Sequence, residues 1–364
     1  MNVFSLSAGL NLCLPASLLV YPAAAINSGR KAALYALGVS CMLLHPPTPT
    51  HALGRRIAPP HWTGQEAQEV VCRPRLAAAV PGALLRAFAR RSTDETLQAE
   101  RVSTVTLLFV RHGESEWNDV FNRGFGPSFP LRLALACIRE AFAWATPDSV
   151  FLDSPLSALG AGQAALLAKW LATPTREADG FTRAAADAHA TLCAAPGAPP
   201  SAVSSSNLRR AVSTAAVALA ERLRRTGESV HVLSSLQEIS PNVDTMALSP
   251  PFGAPACSPP MRCDASCNAG NKALRGSGSD RLAAFAAWAH ARPERTVVAV
   301  GHSLWFRAFV NAYLPRGAAH EARKRKIANC AVLALNLQRV DTGGGAVLFR
   351  IPPESVNLVV GKYC

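Results

Sequence analysis

Two short apolar runs constrain this chain most. Thr104 to Val110, TVTLLFV, and Thr296 to Val300, TVVAV, are rich in β-branched and aromatic residues and read as buried strands. Val230 to Leu233 reads as a third, weaker strand, and Ala202-Val203 seeds another. Helical patterns alternate with them. Leu208, Val212, Ala215, Leu219 and Leu223 share one face, and Gly227 stops that helix after Arg222, Arg224 and Arg225. Arg281 to Arg292 is a second helix, ending at Pro293. Cys330 to Leu337 and Ala346 to Ile351, joined by Asp341-Thr342-Gly343-Gly344-Gly345, read as a β-hairpin. Strand–helix alternation predicts an α/β fold: three layers, α/β/α, around a mostly parallel central sheet.

The 364 residues suffice for one large domain or two smaller ones, and 49% hydrophobic residues supply a core. The first acid is Glu66, and residues 1–29 carry no charged side chain. An apolar start followed by an acid-poor, basic stretch resembles an organelle or secretory targeting segment, although the basic start of an ordinary signal peptide is missing. Residues 1–65 are therefore expected to be a targeting or disordered leader; without targeting, the expectation is cytoplasmic. Residues 66–102 are expected to be a helical approach segment and 103–352 the catalytic domain, with loop insertions near 119–152, 172–201 and 249–280; 353–364 form a tail. The ten cysteines lack C-x-x-C spacing, so Cys257, Cys263 and Cys267 read as loop thiols rather than a metal site.

The formal net charge of +13 favours anionic partners. The arginines are dispersed and no aromatic–basic interleaving marks a stacking surface, so nucleic acid is not expected. Membrane contact through 1–44 or 130–145 stays open. In the second of these, Leu131, Leu135, Ile138 and Phe142 fall on one helical face, which suits packing or a lid better than a membrane because basic residues there are few.

His112 directly follows the first strand and His302 directly follows the strand ending at Val300. In an open α/β sheet, ligands bind beyond the carboxyl ends of the strands, so the two histidines can converge. Each has a glycine neighbour, which permits close backbone approach to a ligand. Arg111 precedes His112, and Arg210 opens the helix after Ser204-Ser205-Ser206. Guanidinium forks and a helix N-terminus match phosphate oxygens. A neutral imidazole can attack phosphorus, arginines can offset charge on the equatorial oxygens, and a carboxylic acid is needed at the leaving oxygen. Glu238, in Leu236-Gln237-Glu238-Ile239, is placed for that role by the order of elements. Each residue alone has a plainer reading, as a structural histidine, a solvated arginine or a surface carboxylate; their joint pattern carries the expectation.

That pattern resembles the histidine phosphatase superfamily, in its phosphoglycerate mutase-like branch. V-R-H-G-E-S-E-W-N at 110–118, D-S-P-L-S-A-L-G-A-G-Q-A at 153–164, S-N-L-R-R-A-V-S-T-A at 206–215, L-Q-E-I at 236–239 and G-H-S at 301–303 stand in the family's order and span roughly 103–340. The resemblance implies that His112 is the phosphorylated nucleophile and that Arg111, Asn118, Arg210 and His302 hold the phosphoryl group. It implies that Glu238 is the general acid and then the base that activates water. No metal or organic cofactor is implied. The R-H-Y-G segment of cofactor-dependent mutases is missing after Glu238, where the chain reads S-P-N-V-D-T-M-A-L-S-P. The expectation is a phosphatase acting on a phosphorylated small molecule or a phosphoprotein. A phosphomutase of the same fold is the alternative, and a non-catalytic binding or scaffold protein a remoter one.

Overall fold

A computed structural model describes residues 27–36, 39, 62–63, 99–174, 182–273, 278–342 and 346–364. The sheet has nine strands: β1 (Trp62–Thr63), β2 (Ala99–Arg111), β3 (Ala202–Ser206), β4 (Val230–Leu233), β5 (Cys263–Asp264), β6 (Thr296–Gly301), β7 (Val332–Thr342), β8 (Ala346–Arg350) and β9 (Asn357–Val360). Their order is β1-β8-β7-β2-β6-β3-β4-β5, with β9 also on β7. From β2 through β6, β3 and β4 to β5 every pair is parallel, whereas β7 joins β2, β8 and β9 antiparallel. This is the expected α/β sheet, with the C-terminal hairpin as its antiparallel margin.

The alternation of side chains along a strand builds two cores from one apolar run. In β2, Val105, Leu107 and Phe109 join the cluster on one face, and Leu108 and Val110 the cluster on the other. In β6, Val297 and Ala299 share the first side and Val298 and Val300 the second. Helices α8 (Ser279–His290) and α9 (Ser303–Tyr313) cover the first face with an aromatic cluster, in which Phe306 stacks on Phe109 at 4.4 Å and Trp305 meets it edge-on at 5.8 Å. Helices α4 (Ala158–Ala172), α5 (Arg183–Leu192) and α6 (Arg209–Ala218) cover the second.

Several boundaries differ from the sequence reading. Strand β2 begins at Ala99, because its first residues pair with β7 from Thr342 downward, so the end of the supposed 66–102 helical segment is strand; residues 66–98 lie outside the described residues. Residues 353–364 are no free tail: β9 pairs with β7, and Lys326 and Cys364 exchange backbone hydrogen bonds. The helix read through Leu223 breaks at Leu219 into α6 and α7 (Ala220–Thr226), which Gly227 ends at φ +66°. The turn residues 343–345 lie outside the described residues. Within 172–201, α5 is a packed helix whose Ala188 and Leu192 are buried.

Two described pieces of the leader, residues 27–36 and β1, join the domain. The first, a helix (α1), lies against the end of α3 (Phe129–Ala143), where Tyr35 stacks on Trp144 at 5.9 Å and donates to Glu140 Oε1 at 2.8 Å. In α3 the stripe Leu131, Leu135, Ile138 and Phe142 faces solvent, Phe142 at 83% exposure, so it is not packed on the domain. The inner face instead buries Ala136 and Glu140, because Ser149 Oγ, the Val150 N–H and Tyr35 all donate to that carboxylate. Among the described residues, no helix is long and apolar enough to cross a membrane.

Candidate active site

The motif segments with catalytic candidates all fall at the carboxyl ends of adjacent parallel strands. Arg111 ends β2 and His112 follows it; His302 follows β6; Arg210 lies in the first turn of α6 just after β3; Glu238 lies just past β4. The order β2-β6-β3-β4 makes these four ends neighbours. The sequence reading placed the histidines by this rule, and the sheet brings them together: the imidazoles of His112 and His302 lie 5.0 Å apart, centroid to centroid, at 58°.

Both histidines are buried, at 5% and 0% exposure. Burial, then the charges of Arg210 and Arg111, holds His112 well below its ordinary value of 6.5. Burial, then Arg210, His112, Lys272 and Arg111, does the same to His302. Both rings are therefore neutral near pH 7. The tautomer of His112 follows from geometry. Its Nδ1 lies 2.5 Å from the Gly113 carbonyl oxygen, which can only accept, so Nδ1 carries the proton and Nε2 keeps its lone pair. The backbone around it is held by Gly301 O accepting from the His112 N–H at 3.0 Å and by Asn329 Nδ2 donating to His112 O at 2.8 Å.

Two buried nitrogens of this cluster have no hydrogen-bond partner among the described residues: Arg111 Nε and His302 Nδ1. Arg111 is otherwise anchored by Nη1 donating to Ile327 O at 2.7 Å, and the Glu238 carboxylate supports its charge against burial. His302 Nε2 lies 2.8 Å from Ser206 Oγ. An unsatisfied buried donor is costly, so Arg111 Nε, and His302 Nδ1 in the tautomer that protonates it, suit an acceptor-rich ligand.

Arg210 is fixed by residues the sequence reading did not single out. Its Nη1 donates to Asp244 O at 2.7 Å and its Nη2 lies 3.2 Å from Asp244 Oδ2. Burial raises the Asp244 carboxyl and Arg210 opposes that. Helix α6 has no local side-chain cap; Asp153, from the second motif, supplies one, with Oδ1 accepting from the Arg209 N–H at 2.7 Å and Oδ2 from Leu248 N–H at 3.0 Å. These partners were illegible because they come from segments 56 and 34 residues from the helix.

Glu238 is buried at 6%, and its Oε1 accepts from the Ile239 N–H at 2.8 Å. Asn118 has a different setting from the one expected. It is the third residue of α2 (Glu116–Phe121), where its carbonyl oxygen accepts from the Ser115 N–H at 3.3 Å while Ser115 Oγ accepts from the Asn118 N–H at 3.2 Å. This capping box uses the amide oxygen and leaves the side-chain NH₂ outside the cap. The glycines also serve another purpose than the one read from sequence. A Cβ on Gly113 would stand 2.4 Å from Gly160 O, and one on Gly301 3.1 Å from Phe306, so these glycines admit neighbouring protein.

The 249–280 segment is not simply a surface loop. Asn268 is fully buried and takes Asn207 Nδ2 at 3.1 Å, and Asn271 and Lys272 bond the segment that bears Glu238. Burial of backbone polar groups required those partners. Cys257 and Cys263 are free thiols there, whereas Cys267 is disulfide-bonded rather than a loop thiol. Among the described residues, no group of three or more His, Cys, Asp or Glu is placed to hold a metal.

No model of a known family matches the chain, and no curated protein matches it. Solved structures do. A mycobacterial hydrolase is 19% identical, over 71% of this chain and 100% of that one, with a TM-score of 0.36. A mycobacterial glucosyl-3-phosphoglycerate phosphatase complexed with VO3 is 19% identical, over 68% and 97%, at 0.35. A phosphoserine phosphatase from Entamoeba histolytica, with 3-phosphoglyceric acid, is 14% identical, over 63% and 89%, at 0.29. Through its five ordered motifs, carried on an α/β sheet that brings four of them to neighbouring strand ends, the chain resembles the histidine phosphatase superfamily in its phosphoglycerate mutase-like branch.

Proposed function

We propose that this chain is a histidine phosphatase that hydrolyses a phosphate monoester through a phosphohistidine on His112. The carrying observation is the His112 ring, whose Nδ1 faces the Gly113 carbonyl oxygen and so leaves the Nε2 lone pair for attack, 5.0 Å centroid to centroid from His302 and beside the buried Arg111 Nε, which lacks a partner among the described residues. In this reading the His112 Nε2 lone pair attacks phosphorus and the ester P–O bond breaks. Glu238 gives its proton to the departing alcohol oxygen. Water then attacks the phosphohistidine, Glu238 takes its proton, and phosphate leaves with His112 neutral again.

The donors suit the transition state. Arg111 and Arg210 meet the equatorial oxygens with fixed forks, and a low-dielectric site strengthens that attraction. For His302, Ser206 O–H donating to Nε2 leaves the proton on Nδ1, where it points a hydrogen bond at the phosphoryl group. Asn118 adds its NH₂. The missing mutase segment favours water over a second alcohol as acceptor. The substrate proposed is a phosphorylated small molecule or a phosphoprotein.

The test is rapid quenching of the full chain into alkaline detergent with a ³²P-labelled aryl phosphate, beside malachite-green detection of phosphate. Wild type is expected to trap an acid-labile, base-stable label that His112→Ala lacks. Phosphate release by His112→Ala at the wild-type rate overturns the mechanism.

A further inference from the structure

Resting on that reading, we propose that Lys272 is a positioning residue for the acid Glu238, so that Asn271 and Lys272 set how well the leaving oxygen is protonated. The geometry begins at the ammonium group. Lys272 Nζ donates to Glu238 O at 2.8 Å, to Thr245 Oγ1 at 2.6 Å and to Ser240 O. An ammonium has three protons, and three acceptors engage them. The group is therefore directed at the turn that follows the acid.

The same stretch grips the residue before the acid. Lys272 N–H donates to Gln237 Oε1 at 2.8 Å, and Gln237 Nε2 donates to Asn271 Oδ1 at 2.9 Å and to Thr245 O at 2.7 Å. Arg281 Nη1 donates to Gln237 O at 2.5 Å. Asn271 Oδ1 also accepts from the Ala247 N–H at 2.7 Å, and Asn271 Nδ2 returns a bond to Ala247 O at 3.1 Å. Glu238 sits on no helix or strand of its own: the 3-10 turn Ser234–Leu236 ends before it and the next, Val243–Thr245, starts after it. Nothing in regular secondary structure holds its backbone, so the position of its carboxyl group depends on these cross-links. A misplacement of about 1 Å can cost about 100-fold in rate.

This placement predicts a signature that general loosening of the site does not produce. Protonation of the leaving oxygen matters for a basic leaving group and little for an acidic one. In kcat/KM, which reports the phosphorylation step, loss of Glu238's alignment should therefore slow phenyl phosphate and largely spare dinitrophenyl phosphate, whereas kcat also contains phosphohistidine hydrolysis, where Glu238 is the base for both esters. Loss of phosphoryl binding, including loss of the positive charge that Lys272 contributes near His302 and Asp244, slows both alike.

The experiment measures kcat and KM of the full chain on phenyl and dinitrophenyl phosphate for wild type, Lys272→Met, Glu238→Gln and the double variant. Lys272→Met is expected to lose at least about tenfold more kcat/KM on phenyl than on dinitrophenyl phosphate, a loss of the size general acid catalysis supplies. In the Glu238→Gln background it should add no further selectivity, because both changes act on one step. If Lys272→Met does not fold, Lys272→Gln is measured by the same ratio. Equal losses of kcat/KM on both esters, or a full additional loss of selectivity in the double variant, overturns the proposal while leaving the phosphohistidine reading intact. Wild type that hydrolyses neither ester and traps no phosphohistidine removes the reading itself.

Discussion

Arg210 and Asp244 form a buried pair, with Nη2 3.2 Å from Oδ2 and Nη1 donating to the Asp244 backbone oxygen at 2.7 Å. One Asp244 contact is electrostatic and the other belongs to the chain, so an uncharged side chain keeps only part of the grip. Asp244→Ala leaves Arg210 charged and unpaired in the interior; a stability loss of about 3 kcal/mol is expected in urea unfolding. Asp244→Asn keeps the shape, and the expected result is a vanadate inhibition constant about tenfold weaker with a smaller stability change. Vanadate inhibition unchanged in Asp244→Asn would show that Arg210 is aimed without its partner.

Asn118 separates a capping role from a ligand-binding one through its two amide atoms. Asn118→Asp keeps an oxygen for the Ser115 N–H and replaces the donor NH₂ with a second acceptor. Unfolding free energy should stay within about 0.5 kcal/mol, while vanadate inhibition weakens by about tenfold through anionic repulsion. Asn118→Ala removes the cap oxygen as well and should cost about 1 kcal/mol. Thermal melts beside vanadate titrations measure both.

Gly113 and Gly160 touch through their backbones: a Cβ on Gly160 would lie 1.9 Å from Glu114 O. Neither neighbour is a flexible side-chain end, so relief requires the His112 loop and α4 to separate. Gly160→Ala is expected to cost about 3 kcal/mol and to lower phosphate release with it, read by denaturant unfolding and turnover on one preparation. A fully active, equally stable variant contradicts the close approach.

His290 gives a pH dependence whose sign can be stated. Burial, then Arg339 and Arg295, lowers it from 6.5 to about 4. In the unfolded chain it takes a proton below pH 6.5, but in the fold it resists until about pH 4. The unfolded state therefore binds more protons in that window, and stability falls as pH drops through it. The depressed His112 and His302 act in the same direction, whereas the raised Asp153 and Asp244 act in the opposite one. The clean measurement is a difference. His290→Gln should flatten the decline of unfolding free energy between pH 6.5 and 4 relative to wild type. Parallel curves refute the assignment.

The amino-acid sequence by itself determined the parallel core and the chemistry-bearing ends of its strands. Apolar runs such as TVTLLFV can satisfy both faces only between two helical layers, and a histidine immediately after such a run must emerge at the strand's carboxyl end. That is local information, written in neighbouring residues. Tertiary structure alone decided which groups hold those side chains in place. Asp153 reaches Arg209 across 56 residues, Asp244 reaches Arg210 across 34, and Lys272 reaches Glu238 across 34. Each is an ordinary polar residue in its own segment. What gives it a partner is the cost of leaving a buried charge or N–H unsatisfied, and that cost arises only once the sheet has brought distant segments together. The outward turn of Leu131, Leu135, Ile138 and Phe142 has the same origin. Helical spacing marks a face, but the donors gathered around Glu140 chose which face of α3 went inside.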